Sequence, residues 1–156
     1  MQPPVTENYT DIGINVGSIV RRILSYLPPD ILDGLHEVRI LDKCQILEKC
    51  NNPFACYKRE ERVIEIYVSE MLGKFGPFIL KLFYPFTYIF IGMAVGHELD
   101  HHANRDIKNI DREASAEANI MKYIYPSLGI FKPTVRIISL IARSLHRLRK
   151  KRTIEI

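Results

Sequence analysis

Residues 75–96 read FGPFILKLFYPFTYIFIGMAVG and run directly into HELDHH at 97–102. No other stretch restricts the fold so strongly. The run approaches the ~20 apolar residues that cross a bilayer. Yet Lys81 falls inside it, Pro85 interrupts it, and it ends in side chains whose chemistry needs water. Two arrangements satisfy it: a central helix buried in a folded domain and entered through a Pro-broken turn, or a segment that dips into a membrane. The first is the expectation, because 156 residues at 47% hydrophobic and 26% charged are enough to bury one core without staples.

The end of the run carries the chemistry. His97, Glu98 and His101 form H-E-x-x-H. Residues four apart on a helix share a face, one turn above the other, so both imidazoles can converge on one metal ion. Glu98 lies about 100° further round, where it can reach a water at the metal without filling the coordination sphere. Gly92, Ala94 and Gly96 just before it permit close packing around the site. A third ligand is expected from the next helix, DREASAEAN at 111–119, where Glu113 and Glu117 share a face with small residues between them. Glu113 completes a His2Glu set that leaves the fourth position open, as catalytic zinc sites require. Glu117, one turn on, can then accept a hydrogen bond from the far nitrogen of a ligand histidine.

At this point the sequence resembles the gluzincin metallopeptidases, which pair H-E-x-x-H on one helix with a ligand Glu on the next. The second element is similar to the E-x-x-A-D signature of HtpX-type membrane proteases, with Glu117 where that signature has Asp. It is also similar to the E-A-N string of ImmA/IrrE-type peptidases at Glu117-Ala118-Asn119, an alignment that makes Glu117 the ligand instead. The resemblance covers roughly residues 35–125. It implies a minimal zincin-like α+β domain, a small antiparallel sheet before the motif helix, one zinc ion, Glu98 as the catalytic base, and a peptide or protein substrate held along an edge strand. His101 and Glu113 are 12 positions apart, shorter than is usual there, leaving little room for a substrate-binding insertion.

The rest of the chain supports a single α+β domain over 1–156. Residues 1–10 are Pro-rich, polar and expected to fray. Apolar positions at helical spacing mark a helix over 11–27, with Asp11 as cap and Pro28-Pro29 as its stop. Val38 and Ile40 suggest a strand. Residues 54–58 and 63–68, around the charged KREER turn, read as a hairpin, and Glu65 between two isoleucines gives the second strand one wet face, as on an edge or near-edge strand. About three strands are expected. Helices follow over 70–75, 86–103, 112–125 and 134–151.

The net charge of +4 is concentrated: 132–156 hold eight basic residues and one Glu. The amphipathic helix expected over 134–152 suits packing on the body or contact with an anionic membrane. No stacking aromatics accompany its arginines, so nucleic acid is not an expected partner. Glu155 or a C-terminal carboxylate there could occupy the zinc's open position and make the enzyme latent. A non-catalytic zinc-containing module that binds an anionic membrane or a protein partner is the alternative function. Cys44, Cys50 and Cys56 are too widely spaced for a zinc knuckle and too few for a disulfide framework. With no basic n-region before an apolar h-region, the expected location is the cytoplasm, with membrane association. His102 is read as a surface residue or cap, and Tyr123 and Tyr125 as core aromatics, one of which could donate to an oxyanion.

Overall fold

The computed structural model describes residues 2–44, 54–73, 75–105 and 112–133. The expected helix 134–152, the tail carboxylates, Cys50 and Asp111 lie outside them. The fold is α+β. Its strands are β1 (Val5–Asn8), β2 (Glu37–Leu41), β3 (Ala55–Lys58) and β4 (Val63–Tyr67); its helices are α1 (Val16–Ser25), α2 (Val68–Leu72), α3 (Pro77–Leu82), α4 (Tyr84–Ala103) and α5 (Arg112–Ile124). A 3-10 segment, Tyr125–Phe131, follows α5.

The sheet has four strands in the order β1-β2-β4-β3. β1 and β4 run parallel to β2, and only β3 is antiparallel to its neighbour. This corrects the expectation of an antiparallel sheet, and it sets the edge. β4 lies between β2 and β3, so 63–68 takes the near-edge of the two places expected of it, and β3 is the edge. Glu65 misled because its charge is covered rather than solvated. It is 5% exposed, with Lys58 Nζ at 2.8 Å and Arg39 Nη1 at 3.6 Å, and the Tyr67 hydroxyl donates to it at 2.9 Å. Long aliphatic stems can roof a strand while their heads pair with its carboxylate. β1 takes the place of the expected frayed terminus. Its VTEN sequence has no strand pattern of its own, and its pairing with β2, from Val5 opposite Val38 onward, makes it a strand.

The opposite face of the sheet is the core. Val38, Ile40, Ile64 and Ile66 are fully buried, together with Val16, Ile19, Val20 and Ile23 of α1 and Ile91, Val95 and Leu99 of α4. α1 begins at Val16, later than expected, because Asn15 is the cap: its side chain accepts from the Ser18 N–H at 2.7 Å. Asp11 instead accepts from the Gly13 N–H at 2.7 Å in a turn upstream, where Gly13 sits at φ 81°. The strand β4 passes directly into α2, so the short helix expected over 70–75 starts at Val68. In the apolar run, Pro77 and Pro85 each occupy a first helical turn, where a missing N–H costs nothing, and the run folds as two helices, α3 and α4. No helix among the described residues is long and apolar enough to cross a membrane.

Candidate metal centre

α4 carries the core at its middle and the polar motif at its last turns. His97 and His101, four apart, present their Nε2 atoms 3.1 Å from each other. α5 packs antiparallel to this end of α4 and brings Glu113 over the pair: its two carboxylate oxygens lie 3.2 Å from His97 Nε2 and 3.4 Å from His101 Nε2. Among the described residues, these three are the group of His, Cys, Asp and Glu whose ligand atoms gather closely enough for one ion. Four ligands at about 2.0–2.1 Å around a tetrahedral metal sit about 3.3 Å apart; the two imidazole nitrogens lie close to that, and one ligand atom from each of the three residues gathers within 4.8 Å of the others. The histidines are largely covered while the Glu113 side chain is 64% exposed, so the centre opens to solvent on the α5 side.

Close approach of α5 depends on Gly96. A Cβ at that position would lie 3.0 Å from the Ile120 carbonyl oxygen, a backbone atom that cannot move aside cheaply. The helices are then fastened by Asp100, which sequence reasoning left without a role. It is 1% exposed. Its carboxylate accepts from Asn104 Nδ2 at 2.9 Å, Ser115 Oγ at 3.2 Å, Asn119 Nδ2 at 3.1 Å and the Tyr123 hydroxyl at 2.9 Å. Ser115, Asn119 and Tyr123 recur every fourth residue along α5, and Glu113 lies on the same helix two residues before the first of them. A polar stripe of that period, facing a motif helix, was the signal available in the sequence. Tyr123 is thereby committed to Asp100, and its hydroxyl pKa is raised by burial and by that carboxylate. Tyr125 lies at the exposed start of the 3-10 segment.

Glu98 points away from α5 toward the sheet. It is 3% exposed, and Oε2 accepts the Tyr57 backbone N–H of β3 at 2.8 Å. Burial raises its pKa to about 7, against the lowering effect of the Tyr57 N–H and with a further raising contribution from the Glu113 charge. A carboxylate tuned to that range suits a general base at neutral pH. His102 is not a surface residue. It is fully buried, its Nε2 donating to the Asp33 carbonyl at 3.0 Å and its Nδ1 accepting from the Tyr57 hydroxyl at 3.0 Å. Burial lowers its pKa, aided by Arg105 and Arg62. Tyr57 therefore joins β3 to α4 through both its backbone and its ring. Glu117 is exposed and makes no hydrogen bond to either ligand histidine among those of the described residues.

Compared with protein-family models, curated proteins and solved structures, the chain matches none of them.

Proposed function

We propose that this chain is a zinc metallopeptidase that hydrolyses peptide bonds, with His97, His101 and Glu113 as metal ligands and Glu98 as general base. The observation that supports it most is the gathering of two imidazole nitrogens and one exposed carboxylate, one ligand atom from each within 4.8 Å of the others. Two nitrogens and one oxygen suit zinc better than the hard, oxygen-seeking cations. Zinc, when held there, supplies a Lewis acid that polarises a carbonyl and acidifies water.

The remaining chemistry belongs to the chain. Glu98 accepts a proton from the attacking water at a carboxylate oxygen and passes it to the leaving amine. In the metal-free fold burial raises its pKa to about 7; a cation held beside it would lower that, toward the ionised form a base needs. The strand in contact with that base is β3, through Tyr57. A substrate backbone is therefore expected alongside β3, in a strand-addition mode, rather than along the interior β4. Glu117, exposed and one turn from Glu113, is left for outer contacts to a ligand histidine once zinc draws the imidazoles into place.

The test is Glu98→Gln in protein purified without a metal-affinity tag. Wild type should carry about one zinc per chain and cleave an unstructured protein such as casein, and a chelator should stop it. The variant should keep its zinc and lose at least about 100-fold in cleavage. His97→Ala or His101→Ala should lose the zinc itself. Full activity in Glu98→Gln overturns the mechanism, and unchanged zinc in both histidine variants overturns the site. If zinc-loaded wild type stays silent even when cut after Lys151, the centre is a structural cross-link of α4 and α5, as the non-catalytic alternative requires.

A further inference from the structure

The last turns of α4 present two pairs of residues four apart, on adjacent faces. His97 and His101 meet Glu113 of α5. Glu98 and His102 meet the sheet, and a single residue of β3 receives both. The Tyr57 backbone N–H donates to Glu98 Oε2 at 2.8 Å, and the Tyr57 hydroxyl donates to His102 Nδ1 at 3.0 Å. Tyr57 thus spans one turn of α4, about 6 Å along its axis. The sheet register makes its N–H available. The Tyr67 N–H donates to the Phe54 carbonyl at 2.9 Å, and Tyr57 lies opposite Ile64. In that alternation Cys56 and Lys58 turn their backbone groups to β4, while Tyr57 turns its own to the outer edge. His102 is the fixed end of the link. It is fully buried, with its ring edge-on to the Tyr57 ring at 5.2 Å between centroids. Its Nε2 lies 3.0 Å from the Asp33 carbonyl, which also accepts from Arg105 Nη1 at 3.1 Å. A carbonyl can only accept, so Nε2 carries the proton and Nδ1 is the acceptor that the Tyr57 hydroxyl needs.

We propose that Tyr57 and His102 are positioning residues for Glu98, holding one carboxylate oxygen on β3 and leaving the other for the proton of the attacking water. This rests on the reading of Glu98 as general base. Joining β3 to α4 does not itself need the polar pair. Two apolar side chains of the same shape would pack there without desolvating an imidazole and a hydroxyl. What the hydrogen bonds add is direction. Apolar contact tolerates small slides and turns of a helix against a strand, whereas two bonds one turn apart fix both the height and the rotation of α4. His97 and His101 lie on the same turns, so the registration that seats Glu98 also sets the ligand pair relative to it. With Oε2 committed to Tyr57, Oε1 is the oxygen left to take the proton.

The experiment is steady-state cleavage of casein by the zinc-loaded full chain, comparing wild type, Tyr57→Phe, His102→Leu, Glu98→Gln and Tyr57→Phe combined with Glu98→Gln. Tyr57→Phe keeps the ring and the backbone N–H and loses only the hydroxyl, so fold, zinc content and KM should be kept while kcat falls about tenfold. His102→Leu removes the other end of the same bond and should lower kcat as far. In the Glu98→Gln background, Tyr57→Phe should change the residual rate by less than about twofold, because a residue that acts through Glu98 then has nothing to act on. An unchanged kcat in Tyr57→Phe overturns the proposal. A fall of the same size that persists in the Glu98→Gln background also overturns it and marks the bond as purely structural. A loss confined to KM does so too, by placing Tyr57 at the substrate rather than at the base. Zinc-loaded wild type that cleaves nothing removes the general-base reading and this inference with it, whereas an active wild type with an insensitive Tyr57→Phe removes this inference alone.

Discussion

At pH 8 the Glu98 carboxylate holds a charge in a place that is 3% exposed, where it accepts the Tyr57 N–H. Its pKa in the fold is about 7 against an ordinary 4.5. A raised carboxylate pKa contributes stability below about pH 4.5, and that contribution is lost as pH rises through about 7. Glu98→Gln should therefore be more stable than wild type at pH 8 by ~1–3 kcal/mol, and the gain should shrink toward pH 5. Urea unfolding of chelator-treated protein at both pH values measures it. Equal stability at pH 8 would mean that the carboxylate is better solvated than its burial indicates. A gain at pH 8 would make the residue proposed as general base a source of instability that the fold tolerates, as functional sites often are. The pairing of His97 with His101 was legible because it follows from helix geometry alone. The hold of Tyr57 on Glu98, 41 residues apart, was not, since only the tertiary packing of β3 on α4 creates it.

Between elements, the antiparallel pair α4 and α5 sets the geometry of the centre, and Asp100 sets the pair. Asp100→Ala would leave four buried or half-buried donors without their acceptor, at a cost of ~2–4 kcal/mol. It would also free Glu113 from its position over the histidines. Zinc affinity, measured by competition with a chromophoric chelator, should fall 10–100-fold, roughly the effect of removing an outer-sphere partner. Undiminished affinity would show that Glu113 finds the metal without that fastening. α1, α4 and α5 were readable from apolar period, Pro and Gly, whereas α3 was not expected; α5 ends at Ile124, a residue short of the expected 125. What periodicity could not deliver was their starting points. α1 starts at Asn15 rather than Asp11 because the Asp11 side chain is spent on a local turn, a choice between two good caps that depends on Gly13.

For the whole molecule, strand order was beyond the sequence for a similar reason. Each β2 and β4 residue has core-facing alternation that fits either an interior or an edge position, and only the pairing of β1, which has no pattern of its own, decides that three strands run parallel. Among the described residues α5 forms a layer packed mainly on α4, with the sheet packed on α4 as well. Zinc would cross-link that layer to the core through one residue of α5 and two of α4. A ligand that binds only the folded state stabilises it by ~2.7 kcal/mol at 100 times its dissociation constant. For a domain of this size that is worth about 5–10 °C in Tm. Stripping the protein with EDTA should lower Tm by that amount, and equimolar zinc should restore it while calcium should not, because two of the three ligands are imidazoles. Glu98→Gln should keep the whole shift, since Glu98 is not one of the gathered ligands, whereas Glu113→Gln should lose most of it. A zinc-dependent shift that survives in Glu113→Gln would take α5 out of the coordination sphere and leave the metal on α4 alone.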